Sequence, residues 1–180
     1  PDTLEKLAAF YYDVRQGIGF NKTPEEYGAF PSDPYSHTPG NAGAQQPGMT
    51  GQVKEDILCR FGELGVFVRN GRIQFGPALL SREEFLQQPA AFRYVDTQGQ
   101  EQQLDLPAGS LGFTYCQVPV VYRLSDKRGI TLFYRDGAAR DQDGLEMSQE
   151  DSARVFGRSG EVIQIEVRLQ PGLEGKPALE

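Results

Sequence analysis

The sequence predicts a mostly β protein: an antiparallel β-sandwich with an N-terminal helix–loop–helix segment. Three observations carry that expectation. From Val66 onward the chain alternates apolar and polar residues in short runs. Turn signals separate those runs, above all the Asn70-Gly71 pair in VFVRNGRIQF, a dipeptide suited to a tight hairpin. Before Val66 the apolar spacing is three and four, which is helical. We divide the chain into residues 1–62 (helix, long Gly/Pro-rich loop, helix), 63–170 (β-sandwich domain) and 171–180 (peripheral tail).

TLEKLAAFYYDVRQ places Leu4, Leu7, Ala8, Tyr11, Tyr12 and Val14 along one side of a helix. Thr3 can cap its start, and Gly17 and Gly19 end it. Thr23-Pro24-Glu25-Glu26 has the form of a cap followed by a first-turn proline, so a single helical turn is expected there. A second helix begins after Thr50, its expected N-cap, with Val53, Ile57, Leu58 and Phe61 on one side and Gly62 or Gly65 as its stop. In the β half, FRYVDTQGQEQQLDL repeats the hairpin arrangement around Thr97-Gln98-Gly99. SLGFTYCQVPVVYRL is a longer β-rich run, and Pro119 within it points to an edge position or a bulge. ITLFYRDG is a strand ending in a turn. Ser148-Gln149-Glu150-Asp151 reads as a capping box before a short helix ending near Gly157. EVIQIEVRL is the clearest strand.

Composition narrows the function classes. The chain has 180 residues, a net charge of −7, one histidine, two cysteines and no tryptophan. An acidic surface repels phosphate backbones, so nucleic acid is not an expected partner. No apolar run approaches the ~20 residues that span a bilayer, so no membrane contact is expected. No charged-then-apolar leader is visible. The chain begins at Pro1 without Met, as a processed product or a piece of a longer protein would. Localisation stays open, with the cytoplasm expected only if the chain is complete. Cys59 lies on a helix pattern and Cys116 within a strand pattern; two buried free thiols are expected, with a disulfide as the alternative. One His and two scattered Cys do not make a metal-ligand spacing, and no cofactor is expected.

The stretch GAFPSDPYSHTPGNAGAQQPGMTG, Gly28–Gly51, is the site-like part of the sequence. Loops longer than ~12–15 residues are uncommon and are usually functional or disordered. Tyr27, Phe30 and Tyr35 offer flat rings that can stack on sugar faces. Asp33, Ser36, His37, Thr38, Gln45 and Gln46 can bond hydroxyls. Lys54 and Glu55 follow at the start of the next helix. The candidate ligand-binding set is therefore Tyr27, Phe30, Asp33, Tyr35, His37, Gln45, Gln46, Lys54 and Glu55. The competing reading makes the aromatics pins of an Ω-type loop whose polar groups satisfy its own backbone.

No catalytic set emerges. His37 with Asp33 and Ser36 is too local for a triad. Glu25-Glu26, Glu55-Asp56, Glu83-Glu84 and Glu150-Asp151 are adjacent pairs whose side chains diverge, so none forms the facing carboxyls, ~5–9.5 Å apart, of a glycosidase. Most sit where a helix dipole favours negative charge. GAQQPGMTG opens a helix and is glycine-rich, but it lacks the P-loop spacing and no strand precedes it.

The order of an amphipathic helix, a long polar loop, a last helix and a β-rich half, carried by Tyr27–Val66 and by SLGFTYCQVPVVY, resembles the C-terminal region of bacterial proteins similar to six-hairpin (α/α-barrel) glycosidases and sugar phosphorylases. The resemblance implies that barrel loops line a sugar site with a β-domain beside them. It implies that this chain holds only the last one or two barrel helices and the β-domain, and that catalytic residues lie elsewhere. No catalytic role is transferred. The partners implied are a carbohydrate and a missing helical barrel, or a second copy of the chain. The chain is not expected to be catalytic on its own. The alternative is a self-contained β-sandwich interaction module without activity. These two readings differ in one structural respect. A piece of a barrel should expose apolar surface on both helices, whereas a self-contained module should cover them.

Overall fold

A computed structural model describes residues 3–17 and 50–170, with the side chains of 14–17 and 50–56 outside that description. Strands account for more of the described residues than helices do. The protein is mostly β, as the alternation predicts. It divides into two compact units between Glu63 and Leu64.

The first unit contains α1 (Thr3–Gly17) and α2 (Thr50–Leu64), the latter ending on the second unit's first residue. Tyr11 of α1 donates to Glu63 Oε1 at 2.8 Å, and Arg60 donates to Glu63 Oε2 at 3.0 Å. Glu63 is buried, so these bonds compensate a carboxylate withdrawn from water. Thr50 is the first helical residue rather than the cap before it. Of the two expected stops, Gly62 lies inside α2. Gly65 ends it, in the left-handed conformation (φ 67°) that glycine adopts without strain.

Among its described residues the second unit holds nine strands, a third α-helix and a single 3-10 turn at Arg82–Glu84. The strands and helix are β1 (Val66–Arg69), β2 (Arg72–Phe75), β3 (Ala90–Val95), β4 (Glu101–Leu106), β5 (Ser110–Tyr115), β6 (Val118–Leu124), β7 (Gly129–Tyr134), β8 (Ala139–Asp143), α3 (Gln149–Phe156) and β9 (Val162–Leu169). Hairpins β1–β2 and β3–β4 are separate two-stranded sheets, and the remaining strands form one sheet in the order β5-β6-β9-β7-β8. Asn70 and Gly71 make the first turn with positive φ, as that dipeptide predicts. Ser148 caps α3 by accepting from the Asp151 N–H, and Gly157 closes it.

The pairing is antiparallel except in one place: β6 and β9 run parallel. The exception follows from topology. Sheet order places β9 between β6 and β7, with β7 antiparallel to β9. A strand inserted between two neighbours of opposite direction must be parallel to one of them.

The run SLGFTYCQVPVVYRL is not one strand. It folds back at Cys116-Gln117, both in the left-handed region (φ 50° and 64°), to give hairpin β5–β6. Cys116 is therefore a turn residue, and both thiols are free and half-buried rather than buried. Pro119 sits on an interior strand, not an edge. It is tolerated because the β6–β9 ladder begins only at Val120, one residue later.

Both faces of the main sheet are covered near β6, where Val118–Tyr122 are buried in succession. On one face, the Tyr122 ring meets Phe75 of the first hairpin (6.0 Å) and Phe113 (5.2 Å), both edge to face. Ile73, Leu132, Met147, Val155, Ile165 and Val167 are all at most 1% exposed and complete that core. The Tyr122 hydroxyl, fully buried, donates to the Leu64 carbonyl at 2.5 Å. On the other face, Gly112 leaves room for Leu106 and Phe92 of hairpin β3–β4. The result is a sandwich-like arrangement, with hairpins laid on both sides of one five-stranded sheet.

Candidate functional site

Most of the residues singled out in the sequence fall outside the described part of the chain. Tyr27, Phe30, Asp33, Tyr35, His37, Gln45 and Gln46 lie within residues 18–49, as do Ser36, Thr38 and the turn at Thr23-Pro24. Lys54 and Glu55 lie on α2, and their side chains are also outside the description.

Within the second unit the described residues form a cleft of about 330 Å³ between hairpin β3–β4 and the sheet end where β6, β7 and β9 meet. Each wall has a local cause. Tyr94 alternates with Phe92 along β3, so the two rings share a side of the hairpin and stack at 5.7 Å and 16°. The same side carries Gln102 and Leu104, the register partners of Tyr94 and Phe92. The hairpin tip is the loop Thr97-Gln98-Gly99, where Gly99 takes positive φ and its N–H donates to the Asp96 carbonyl at 3.0 Å. The Asp96 carboxylate fixes this tip from inside. It accepts from the N–H groups of Gln98 (2.8 Å) and Gln100 (2.9 Å) and from the Gln102 amide (3.0 Å).

The opposite wall is made by Gln117, Pro119, Val162, Ile163 and Gln164. β7 pairs Phe133 with Gln164 and Tyr134 with Val162, so Ile163 is the extra residue of a β-bulge. Bulges re-aim side chains at the ends of sheets, and Ile163 is 42% exposed. Gln117 donates from Nε2 to the Asp96 carbonyl at 3.1 Å, which latches the hairpin tip to the sheet.

The charges in the cleft are already occupied. Hydrogen bonds from the Gln100 backbone, and further ones from Gln98 and Gln102, hold the Asp96 carboxyl below its ordinary range, with help from Arg135. Arg135 donates from Nε to the Gly160 carbonyl at 2.8 Å. With the Gln98 amide oxygen turned towards it, both terminal guanidinium nitrogens reach that oxygen at 2.7 Å. Burial, then the Asp96 charge, raises the Tyr94 hydroxyl, so it stays protonated at neutral pH. The cleft thus offers one aromatic ring and several amides around Asp96 and Arg135, each bonded to other groups of the protein.

A second polar cluster lies around Asp151, which is fully buried. Its carboxylate accepts from Tyr134 (2.9 Å), Ser148 Oγ (2.7 Å), Arg154 (2.8 Å) and Arg140 (3.2 Å). Burial pushes its pKa up, but the bonds from Ser148, Tyr134 and Arg154 and the Arg140 charge bring it below the ordinary value. Its partners come from β7 (Tyr134), β8 (Arg140), the α3 cap (Ser148) and α3 itself (Arg154), so this cluster ties α3 to the sheet. The Glu150-Asp151 pair is structural in that sense. Among the described residues, no group of three or more His, Cys, Asp or Glu could hold a metal ion, and no helix is long and apolar enough to cross a membrane.

No family model matches the chain, and no curated protein matches it.

Sequence reasoning missed the cleft because its key turn carries no turn signature. Cys116-Gln117 contains neither Gly nor Asn. One clue was available: fifteen residues of continuous strand would span ~50 Å, well beyond ordinary strand length, so a reversal had to occur inside the run.

Proposed function

We propose that this chain is the accessory or C-terminal part of a carbohydrate-active protein, in which the Gly28–Gly51 stretch contributes to a sugar-binding surface. The observation that carries the reading is the exposure of large apolar side chains on both helices. On α1, Leu4 is 52%, Leu7 60% and Phe10 69% exposed; on α2, Ile57 is 52% and Leu58 70% exposed. A self-contained module would bury them. Such surface is expected of helices that pack against further helices of a barrel. The mixture of rings, prolines and hydroxyl-bonding side chains in Gly28–Gly51 then belongs to a loop facing the sugar, with Lys54 and Glu55 at its exit.

The unique His37 makes the proposal testable without full resonance assignment. Its imidazole C–H signals in the complete chain are followed during titration with mono- and oligosaccharides and with inorganic phosphate. Saturable shifts with one class of sugar are expected. A histidine that titrates normally and ignores every ligand, alone and with a helical-barrel partner supplied, would leave the loop as scaffold.

A further inference from the structure

The geometry points to a second ligand site, in the β unit: the cleft between hairpin β3–β4 and the bulged end of β9 takes a neutral, polyhydroxylated ligand, a single sugar ring. It lies away from the Gly28–Gly51 loop in sequence and stands on its own geometry. It deepens the carbohydrate reading by giving the accessory unit a subsite of its own.

Several observations lead to this ligand class. The first is charge. The Asp96 carboxylate is bonded by two backbone N–H groups and Gln102, and Arg135 is bonded by Gly160 and Gln98. Each charge is thus partnered within the protein, so the cleft presents no unpartnered charge to attract an ion. Hydrogen-bonding capacity comes next. Gln102 and Gln117 each donate their NH₂ group to Asp96 and keep the amide oxygen as an acceptor. Gln98 accepts with its oxygen and keeps its NH₂ as a donor. Tyr94 and Gln164 add a hydroxyl and a whole amide that meet no partner among the described residues. Donors and acceptors in balance suit hydroxyl groups, each of which both donates and accepts. Shape also fits: Phe92 stacks on one face of the Tyr94 ring, and Tyr94 lines the cleft, where an aromatic ring suits the apolar face of a pyranose. The volume, about 330 Å³, is at the small end of ligand sites.

The last observation concerns Gln117. A two-residue hairpin turn with both residues at positive φ is made without strain by Asn-Gly, as at Asn70-Gly71 in this same protein. At Cys116-Gln117 the same turn is built from two residues that both resist that conformation. Strain of this kind collects at binding sites. Here it places the Gln117 amide across the cleft onto Asp96. Gln117 is a positioning and contact residue whose side chain reaches across the cleft from a strained turn.

The test uses the complete chain, labelled with ¹⁵N, and follows the side-chain amide signals of Gln98, Gln102, Gln117 and Gln164 beside the His37 C–H signals. The probes are glucose, galactose, mannose, xylose, maltotriose and cellotriose, with inorganic phosphate and acetate as ions, each up to about 10 mM to reveal affinities near ~1 mM. At least one sugar is expected to shift the cleft amides saturably. Tyr94→Ala should weaken that binding about tenfold. Gln117→Gly should weaken it about fivefold while raising the melting temperature, an opposition that a merely structural role would not produce. Cleft amides that ignore every sugar overturn the proposal. So do saturation by phosphate or acetate instead, or sugar binding unchanged in both variants. Shifts at His37 with silent cleft amides would refute this site and leave the loop reading intact. Shifts at the cleft with a silent His37 would do the reverse.

Discussion

Replacing Asp151 tests how the second unit is held together. The carboxylate is fully buried and accepts four hydrogen bonds, from Tyr134, Ser148, Arg154 and Arg140. A hydrogen bond to a charged group contributes ~1.5–3 kcal/mol, so a bare sum would approach ~10 kcal/mol. That sum overshoots. The Arg140 and Arg154 side chains are 55% and 27% exposed and regain water once the carboxylate is gone. Ser148 still caps α3 through the backbone N–H of residue 151. What is lost outright is the partner of Tyr134 and the inner end of Arg154. Asp151→Ala should therefore cost about 3 kcal/mol, and Asp151→Asn, which keeps one acceptor, about 2 kcal/mol. Urea unfolding followed by far-ultraviolet circular dichroism reads this directly. With a slope of ~1.5 kcal/mol per molar, the midpoint for the Ala variant should fall by about 2 M at unchanged slope. A midpoint within about 0.3 M of the parent would refute the hub assignment.

The same cluster makes a pH prediction. Tyr134 is pushed up to about 12 by burial and by its bond to Asp151. Its raised pKa contributes stability that is present below pH ~10 and lost as pH rises through about 12, and ultraviolet titration of Asp151→Asn should show one tyrosine titrating earlier. At the acid end, Asp96, Asp141, Glu146 and Asp151 all have lowered pKa values. Their contribution is present above pH ~4 and lost as pH falls through the lowered folded values, so the urea midpoint should drop steeply only below that pH. Tyr122→Phe leaves the Leu64 carbonyl without its buried donor and should cost ~1–2 kcal/mol in the same assay. Gly65→Ala would bring a Cβ to 2.3 Å from the Gly76 carbonyl carbon, at a position with positive φ, so it should destabilise by ~3 kcal/mol or more. Replacing Cys116-Gln117 with Asn-Gly relieves two strained residues at the cost of the Gln117 latch and should stabilise by about 1 kcal/mol in the same assay.

The parts of the fold that were legible in the sequence share a local cause. Asn70-Gly71, Thr97-Gln98-Gly99 and Ser148–Asp151 each fix their backbone within a few residues, so their turns and cap read directly from the chain. β9 reads as a strand because Val162, Ile165, Val167 and Leu169 are buried and the intervening residues from Gln164 on are polar. β8 (ARDQD) was invisible for the opposite reason. An edge strand with no large apolar residue has no pattern, and its charges guard an open edge. The parallel β6–β9 pair was hidden because strand order depends on contacts distant in sequence. The cleft was hidden because its walls come from Tyr94, Gln117, Arg135 and Gln164, which only the folded sheet brings together. The loop residues drew attention by composition, whereas nothing about those four stands out in the chain.

The most direct test of the carbohydrate reading is the His37 signal of the complete chain during titration with sugars. A saturable, class-selective shift that inorganic phosphate does not reproduce is expected. A His37 resonance unmoved by every sugar, with or without a helical-barrel partner, would contradict that reading.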